Sequence, residues 1–222
     1  MVPRHTKRRA AAQLRRRSWD AATTGASGIR WMAEAGSQLL ALDQAVVDAV
    51  ANTPTPGIDR FLVHLSRAAD YSRLWLLTAA VVAAGGGRAR RAAGPGVVAI
   101  GLASAVTNAG VKPLSRRRRP SPSDDRERSG SRRVRRPTSA SFPSGHAASA
   151  FAFASAMGDA MPVTWIPLHA AAAAVGYSRV HTGMHYPSDV AVGAMIGALC
   201  GSTVRRLADQ IPTGLARRRQ TP

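Results

Sequence analysis

The chain has 222 residues, enough for one domain with a substantial core, and nothing in it marks a second. Its net charge is +19, with 31 Lys and Arg against 12 Asp and Glu, which points to a polyanionic partner: nucleic acid, anionic lipid or a phosphate substrate. The single cysteine, Cys200, excludes an intrachain disulfide, and the lack of an apolar segment before residue 30 argues against a cleavable signal peptide.

Residues 1–28 are rich in Arg, Lys, Ala, Thr, Gly and Ser without an apolar period, and read as a disordered basic tail suited to anionic headgroups. Over 29–71 two amphipathic helices are expected. The first sets Leu39, Leu42, Val46 and Val50 on one side and Glu34, Gln44 and Asp48 on the other. Asp43 falls inside its apolar arc, as a cap between two shorter helices would. After the turn at 52–57, the second sets Ile58, Phe61, Leu62 and Leu65 against Arg60, His64 and Arg67. Such helices either lie in a membrane interface or cover a soluble core.

Five uncharged runs follow, Leu74–Gly87, Pro95–Val111, Ala147–Gly158, Ala160–Tyr177 and Val190–Val204, of 14, 17, 12, 18 and 15 residues. Each is short of the ~20 residues of a spanning helix unless flanking polar groups extend it. None contains Glu or Lys, which the outer faces of a soluble bundle would need. Small residues recur every fourth position at Gly193, Gly197 and Gly201 and at Ala148, Ala152 and Ala156, a pattern that lets helix backbones approach closely. The fold expected is all-α: a membrane bundle of about five to six core helices over 72–207, with the amphipathic helices ahead of it and a basic tail at 208–222. Residues 121–141 form a polar Ser/Pro/Arg connector of the length that is usually functional or mobile.

The chemistry concentrates in three ordered stretches. Lys112 and Arg119-Pro120 bracket six residues, Phe142-Pro-Ser-Gly-His146 opens an apolar run, and Ser178-Arg-Val-His-Thr-Gly-Met-His-Tyr-Pro-Ser-Asp189 lies between two more. Hydrolysis of a phosphomonoester needs positive charge around the equatorial oxygens, an in-line nucleophile and a proton for the leaving oxygen. Lys112, Arg119 and Arg179 supply cations, two of them forked guanidiniums. Ser144 offers a hydroxyl, and Gly145 a backbone N–H where a helix begins. His185 and Asp189, four apart, pair an imidazole with a carboxylate able to orient it. The other Arg residues of the 116–119 run read as redundant charge, Arg136-Pro137 lacks a Lys seven positions earlier, and His181, His169, Tyr186 and His5 read as structural or surface.

Read as K-x6-RP, PSGH and SR-x5-H-x3-D, these stretches closely resemble the signature of the type 2 phosphatidic acid phosphatase superfamily, which includes lipid phosphate phosphatases, bacterial acid phosphatases and vanadium haloperoxidases. The resemblance covers about residues 112–189. It implies a membrane phosphatase acting on a lipid-linked phosphomonoester without a metal or other cofactor. In the family the histidine matching His185 becomes a phosphohistidine, the residue matching Asp189 orients it, and the one matching His146 protonates the leaving group. Lys112, Arg119, Ser144, Gly145 and Arg179 match the positions that cradle the phosphate. The Arg-, Ala- and Gly-rich composition and the Asp70–Trp75 stretch resemble small actinobacterial members, which implies a polyprenyl-phosphoryl sugar phosphate such as decaprenyl-phosphoryl-ribose phosphate. Phosphatidic acid or a polyprenyl diphosphate are the alternatives.

Two further readings compete. A vanadate-holding haloperoxidase is disfavoured by the short, apolar chain. A basic nucleic-acid-binding protein fits the charge but lacks aromatic residues interleaved with the Arg runs, and no nucleic-acid partner is expected. With five spans, every motif falls on one side of the membrane. That side carries eleven basic residues between Lys112 and Arg136 against eight opposite, so the positive-inside rule makes it cytoplasmic.

Overall fold

A computed structural model describes residues 30–120, 132, 134 and 137–211. The expected tail at 1–28, most of the connector including Arg136, and residues 212–222 of the C-terminal tail lie outside the described residues. The chain divides into two compact units, Met1–Leu42 and Asp43–Pro222. The described part of the first, 30–42, is helical. The remaining helices and all three motifs lie in the second.

Among the described residues the protein is helical without strands. Helix α1 covers 30–52, α2 Pro56–Ala68, α3 Arg73–Ala84, α4 Gly87–Ser104, α5 Gly145–Ala160, α6 Trp165–His181 and α7 Pro187–Gln210. Each of the five apolar runs coincides with one of α3–α7. Helix α4 continues through a π-helical segment, Ala105–Val111, and a 3-10 turn, Lys112–Leu114. Two stretches, Gly87–Leu114 and Pro187–Gln210, are long and apolar enough to cross a membrane, and little of either is buried within the protein. Around them Leu77, Val81, Val98, Ile166, Met195 and Leu199 are exposed. Apolar surface of this extent fits contact with lipid, as the spans do.

Helix α5 is the centre. From Ala147 to Met157 its Ala, Phe and Met side chains are buried, apart from a half-buried Phe151, and it packs against α4, α6 and α7. One core cluster joins Phe153 and Met157 to Trp75 of α3, Ile100 of α4 and Val175 of α6. The α5–α7 contact is closer than side chains allow. A Cβ at Gly193, Gly197 or Gly201 would collide with the carbonyl oxygens of Ser144, Ala148 and Ala152 respectively. The two lists advance together, so α5 and α7 run parallel and in register, each beginning at the same end of the bundle. The four-residue spacing of small residues is therefore what it seemed, a backbone contact.

The amphipathic pair departs from expectation. Helix α1 passes through Asp43 without a break, and Asp43 and Val47 are buried. On α2 the buried positions are Asp59, Leu62, Val63 and Ser66, while Ile58 and Phe61 are exposed. The reason is a buried polar cluster. Asp59 accepts hydrogen bonds from Arg132 Nε (2.9 Å) and Thr55 Oγ1 (2.7 Å) and lies 2.9 Å from His181 Nε2. Polar partners inside turn the apolar flank of α2 outward.

Candidate active site

The close α5–α7 packing delivers the second and third motifs to one place. Ser144 caps α5 by accepting a hydrogen bond from Ala147 N, and its own backbone N–H donates to the Asp189 carbonyl at 2.9 Å. Asp189 in turn accepts from Tyr186 N at 2.9 Å, capping α7. Two helix N-termini thus meet at the site: that of α7 is answered by its own carboxylate, and that of α5 presents positive backbone charge suited to an anion. The end of α6 brings Arg179, and the end of α4 brings Lys112.

His185 is 2% exposed, and burial pushes its imidazole down to about 4, so it is neutral at neutral pH. Its Nδ1 faces Asp189 Oδ2 at 3.6 Å, somewhat longer than a hydrogen bond. Its Nε2 faces Arg119 NH1 at 3.4 Å, and Arg119 is itself held by donating to the Met184 carbonyl at 2.8 Å. The imidazole therefore presents Nε2 to the cations and Nδ1 to the carboxylate.

Behind Asp189 stands Arg117. Its NH1 donates to Asp189 Oδ1 and Ser188 Oγ, both at 2.7 Å, and its NH2 to Asp43 Oδ2 at 2.6 Å. The guanidinium lies 4.2 Å over the Tyr186 ring. Asp43 also accepts from Ser188 N at 3.0 Å and from Ser188 Oγ. The carboxylate in the apolar arc of α1 is thus the far end of a buried Asp43–Arg117–Asp189 chain.

On the other side, His146 Nε2 lies 2.8 Å from Asp70 Oδ1, and Arg179 NH1 lies 3.8 Å from the same oxygen. Arg179 is 3% exposed and donates to Ser66 Oγ. The hydrogen bond with His146 holds the Asp70 carboxyl below its usual range. Lys112 Nζ donates to Asn108 Oδ1 at 2.9 Å. A Cβ on Gly145 would lie 3.6 Å from that Nζ and 3.4 Å from Asn108 Oδ1, in ordinary contact, which places the start of α5 directly beside the cation. Gly145, His146 and Arg179 line a cavity of about 1050 Å³ that extends past Asp70 to Arg67 and Arg73. Among the described residues no three His, Cys, Asp or Glu side chains are grouped to hold a metal.

Residues 92–211 match the sequence profile of the PAP2 superfamily. The chain belongs to that superfamily. It is 35% identical over 173 residues to a decaprenylphosphoryl-5-phosphoribose phosphatase of Mycobacterium tuberculosis, covering 75% of this chain and 86% of the relative. Two solved structures are similar in fold. A transmembrane PAP2-type phosphatidylglycerolphosphate phosphatase from Bacillus subtilis gives a TM-score of 0.62 at 21% identity, covering 78% of this chain and 88% of that one. LpxE of Aquifex aeolicus gives 0.58 at 25%, covering 73% and 93%. As a PAP2 protein with this relative, the chain is a phosphatase, a phosphoric monoester hydrolase, and among the described residues it has two helices long and apolar enough to cross a membrane.

Of the positions matching the PAP2 signature, the structure gathers Lys112, Arg119, Ser144, Gly145, His146, Arg179, His185 and Asp189 at one end of the bundle. Three further residues at this end lie outside the signature. Arg117 is not redundant charge, because it holds Asp189. Asp70 and Asn108 touch His146 and Lys112. Asp43 and Asp70, lone carboxylates in apolar or turn sequence, were the available signals; their partners are 74 and 76 residues away and leave no trace in spacing. His181, outside the signature, is structural, buried against Asp59.

Proposed function

We propose that this chain is a multi-pass membrane phosphatase that hydrolyses the phosphomonoester of a polyprenyl-phosphoryl sugar phosphate, of the decaprenylphosphoryl-5-phosphoribose kind, through a phosphohistidine at His185 and without a metal. The observation that carries the reading is the convergence of the three motifs on the paired N-termini of α5 and α7. The substrate class follows the 35% identical relative, whose name specifies it.

In this mechanism Lys112, Arg119, Arg179, the Ser144 hydroxyl and the Gly145 N–H bind the phosphate oxygens. Neutral His185 attacks phosphorus through Nε2, forming the P–N bond as the P–O bond to the sugar breaks. The departing alkoxide takes a proton from His146. Water then attacks phosphorus, gives its proton to His146, and the P–N bond breaks to release phosphate. Asp189, held by Arg117, faces Nδ1 and stabilises the positive ring. Asp70 keeps His146 oriented between the two proton transfers. The basic residues beside the spans fit anionic headgroups, and the positive-inside count favours a cytoplasmic site.

The test is a panel of lipid phosphates offered to detergent-purified protein: a polyprenyl-phosphoryl pentose phosphate, phosphatidic acid and a polyprenyl diphosphate. Acid-quenched reactions should yield an acid-labile, base-stable phosphoenzyme, which His185→Ala should lack along with turnover. Preferred hydrolysis of the diphosphate would replace the proposed substrate. Turnover retained in His185→Ala would overturn the mechanism.

A further inference from the structure

Several hydroxyl groups in the apolar helices of this bundle turn back on their own backbone. Thr78, Thr107 and Ser178 each donate to a carbonyl three or four residues earlier, at 2.7–2.8 Å. That is the local way to satisfy a hydroxyl where water is scarce. Ser104 of α4 and Ser149 of α5 do not follow it. Their hydroxyls meet each other across the α4–α5 seam at 3.3 Å, longer than a good O–H···O bond. Such a contact occupies one of the two hydroxyl protons and leaves the other, with several lone pairs, for a further partner. Asn108, four residues after Ser104, uses its Oδ1 to accept from Lys112, while its amide nitrogen has two N–H groups and no partner among the described residues. All three residues line the cavity that also holds Gly145 and His146.

Their order along the chain follows the reaction. Ser149 comes four residues after Gly145 and three after His146 on α5, and Asn108 and Ser104 precede Lys112 by four and eight residues. A phosphomonoester seated against Lys112 and Gly145, with its leaving oxygen at His146, would carry the next atoms of the leaving group along this row. The row has no charge of its own to hold a second anion. An alkyl chain laid on it would leave the amide and the hydroxyls without partners, which a site out of water penalises. A diacylglycerol brings ester oxygens that only accept, whereas a sugar brings hydroxyls that both donate and accept, as the two serines do. We infer that Ser104, Asn108 and Ser149 form a subsite for a neutral hydroxylated ring next to the scissile phosphate, with ring hydroxyls taking the place of the loose Ser104–Ser149 contact. This rests on the proposed substrate class and assigns the residues that recognise its sugar.

The experiment compares wild type with Ser104→Ala, Ser149→Ala and the double variant, all as full chain in neutral detergent. The soluble probes are a methyl pentoside 5-phosphate, its 2-deoxy and 3-deoxy forms, and n-pentyl phosphate, which keeps the phosphomonoester and has no hydroxyl. Binding is read by thermal shift and needs no turnover. Wild type should bind the pentoside about tenfold more tightly than pentyl phosphate. Each substitution should lower that preference about threefold, as the loss of a neutral hydrogen bond does. Deleting the ring hydroxyl that a serine holds should weaken binding to wild type by a similar factor and to that serine's variant hardly at all. The readout is a ratio between probes, so a general loss of stability or of phosphate affinity does not move it. Equal losses on both probes would show the serines to be a helix contact only and would overturn the subsite. So would a wild type that binds both alike, or a preference that survives the double substitution. The lipid arm offers a short-chain polyprenyl-phosphoryl pentose 5-phosphate and short-chain phosphatidic acid to the same samples. Wild type that hydrolyses only phosphatidic acid yet keeps its preference for the pentoside would sink the proposed substrate and leave the subsite standing.

Discussion

Replacing Arg117 by Met tests whether the nucleophile is governed from behind. The guanidinium contacts Asp43, Asp189 and Ser188 at 2.6–2.7 Å, and the two carboxylate side chains are 3% and 0% exposed. Removing one partner of a buried ion pair costs about 3–5 kcal/mol. Arg117 keeps 19% of its side-chain exposure, so water reaches the gap and the lower end, about 3 kcal/mol, is expected. The catalytic loss should be about 10- to 100-fold in kcat with little change in KM, as when outer partners of functional histidines are removed. Asp43→Asn on the same background separates the two effects. It removes one of the two stranded charges while retaining an oxygen for Ser188 N–H, so stability should recover in part. Asp189 still lacks its donor, so kcat should not. The assay is turnover of a short-chain lipid phosphate in detergent, with thermal unfolding on the same samples. Recovery of kcat along with stability in the double variant would show Arg117 to be scaffolding and refute its control of Asp189.

Gly197→Val should prevent folding or cost well over 3 kcal/mol, because its Cβ would enter the Ala148 carbonyl, whereas Gly101→Ala, with open space around it, should melt like wild type. Wild type should lose stability as pH falls from about 6.5 towards 4, because the unfolded chain binds a proton that buried His185 refuses until about 4; the His185 share amounts to roughly 3 kcal/mol, and the loss should shrink by about that much in His185→Asn by thermal unfolding across that range, the buried His146 and His181 supplying the remainder. Activity should survive EDTA and be inhibited by orthovanadate, and loss on chelation restored by magnesium would contradict the proposed site. On a Cys200→Ser background, Ser123→Cys should label with a membrane-impermeant maleimide only after lysis; labelling in intact cells would place the site outside.

The parts of this protein that recur at fixed spacing were legible. Apolar runs gave α3–α7, the Gly193–Gly197–Gly201 series gave the α5–α7 contact, and fixed intervals gave the signature. What spacing does not carry was missed. Arg117 and Arg118 are neighbours of the same type, and only the fold reveals that the first points at Asp189. Helix α2 has a clean amphipathic pattern, yet buries Asp59 and Ser66, because Arg132 and Arg179 reach them from distant sequence. A pattern of apolar residues identifies an inner face only where water surrounds the outer one. In a protein bordered by lipid, that contrast is weakened or reversed.

The parallel start of α5 and α7 has one more consequence. The N-terminus of α7 is already met by Asp189 and Asp43, whereas that of α5 carries about half a positive charge, so the backbone supplies roughly half an extra cation to the site. No substitution removes it, and multiple replacements among Lys112, Arg119 and Arg179 should leave a floor of oxyanion affinity. Because that same anion would bridge the two most tightly packed helices, its binding is linked to folding. Inorganic phosphate or vanadate in the buffer should raise the melting temperature, by an amount that tracks RT ln(1 + [L]/Kd), even in chains that no longer turn over. The reaction product would then act as a keystone of the bundle, and purification in phosphate would preserve inactive variants that fall apart without it.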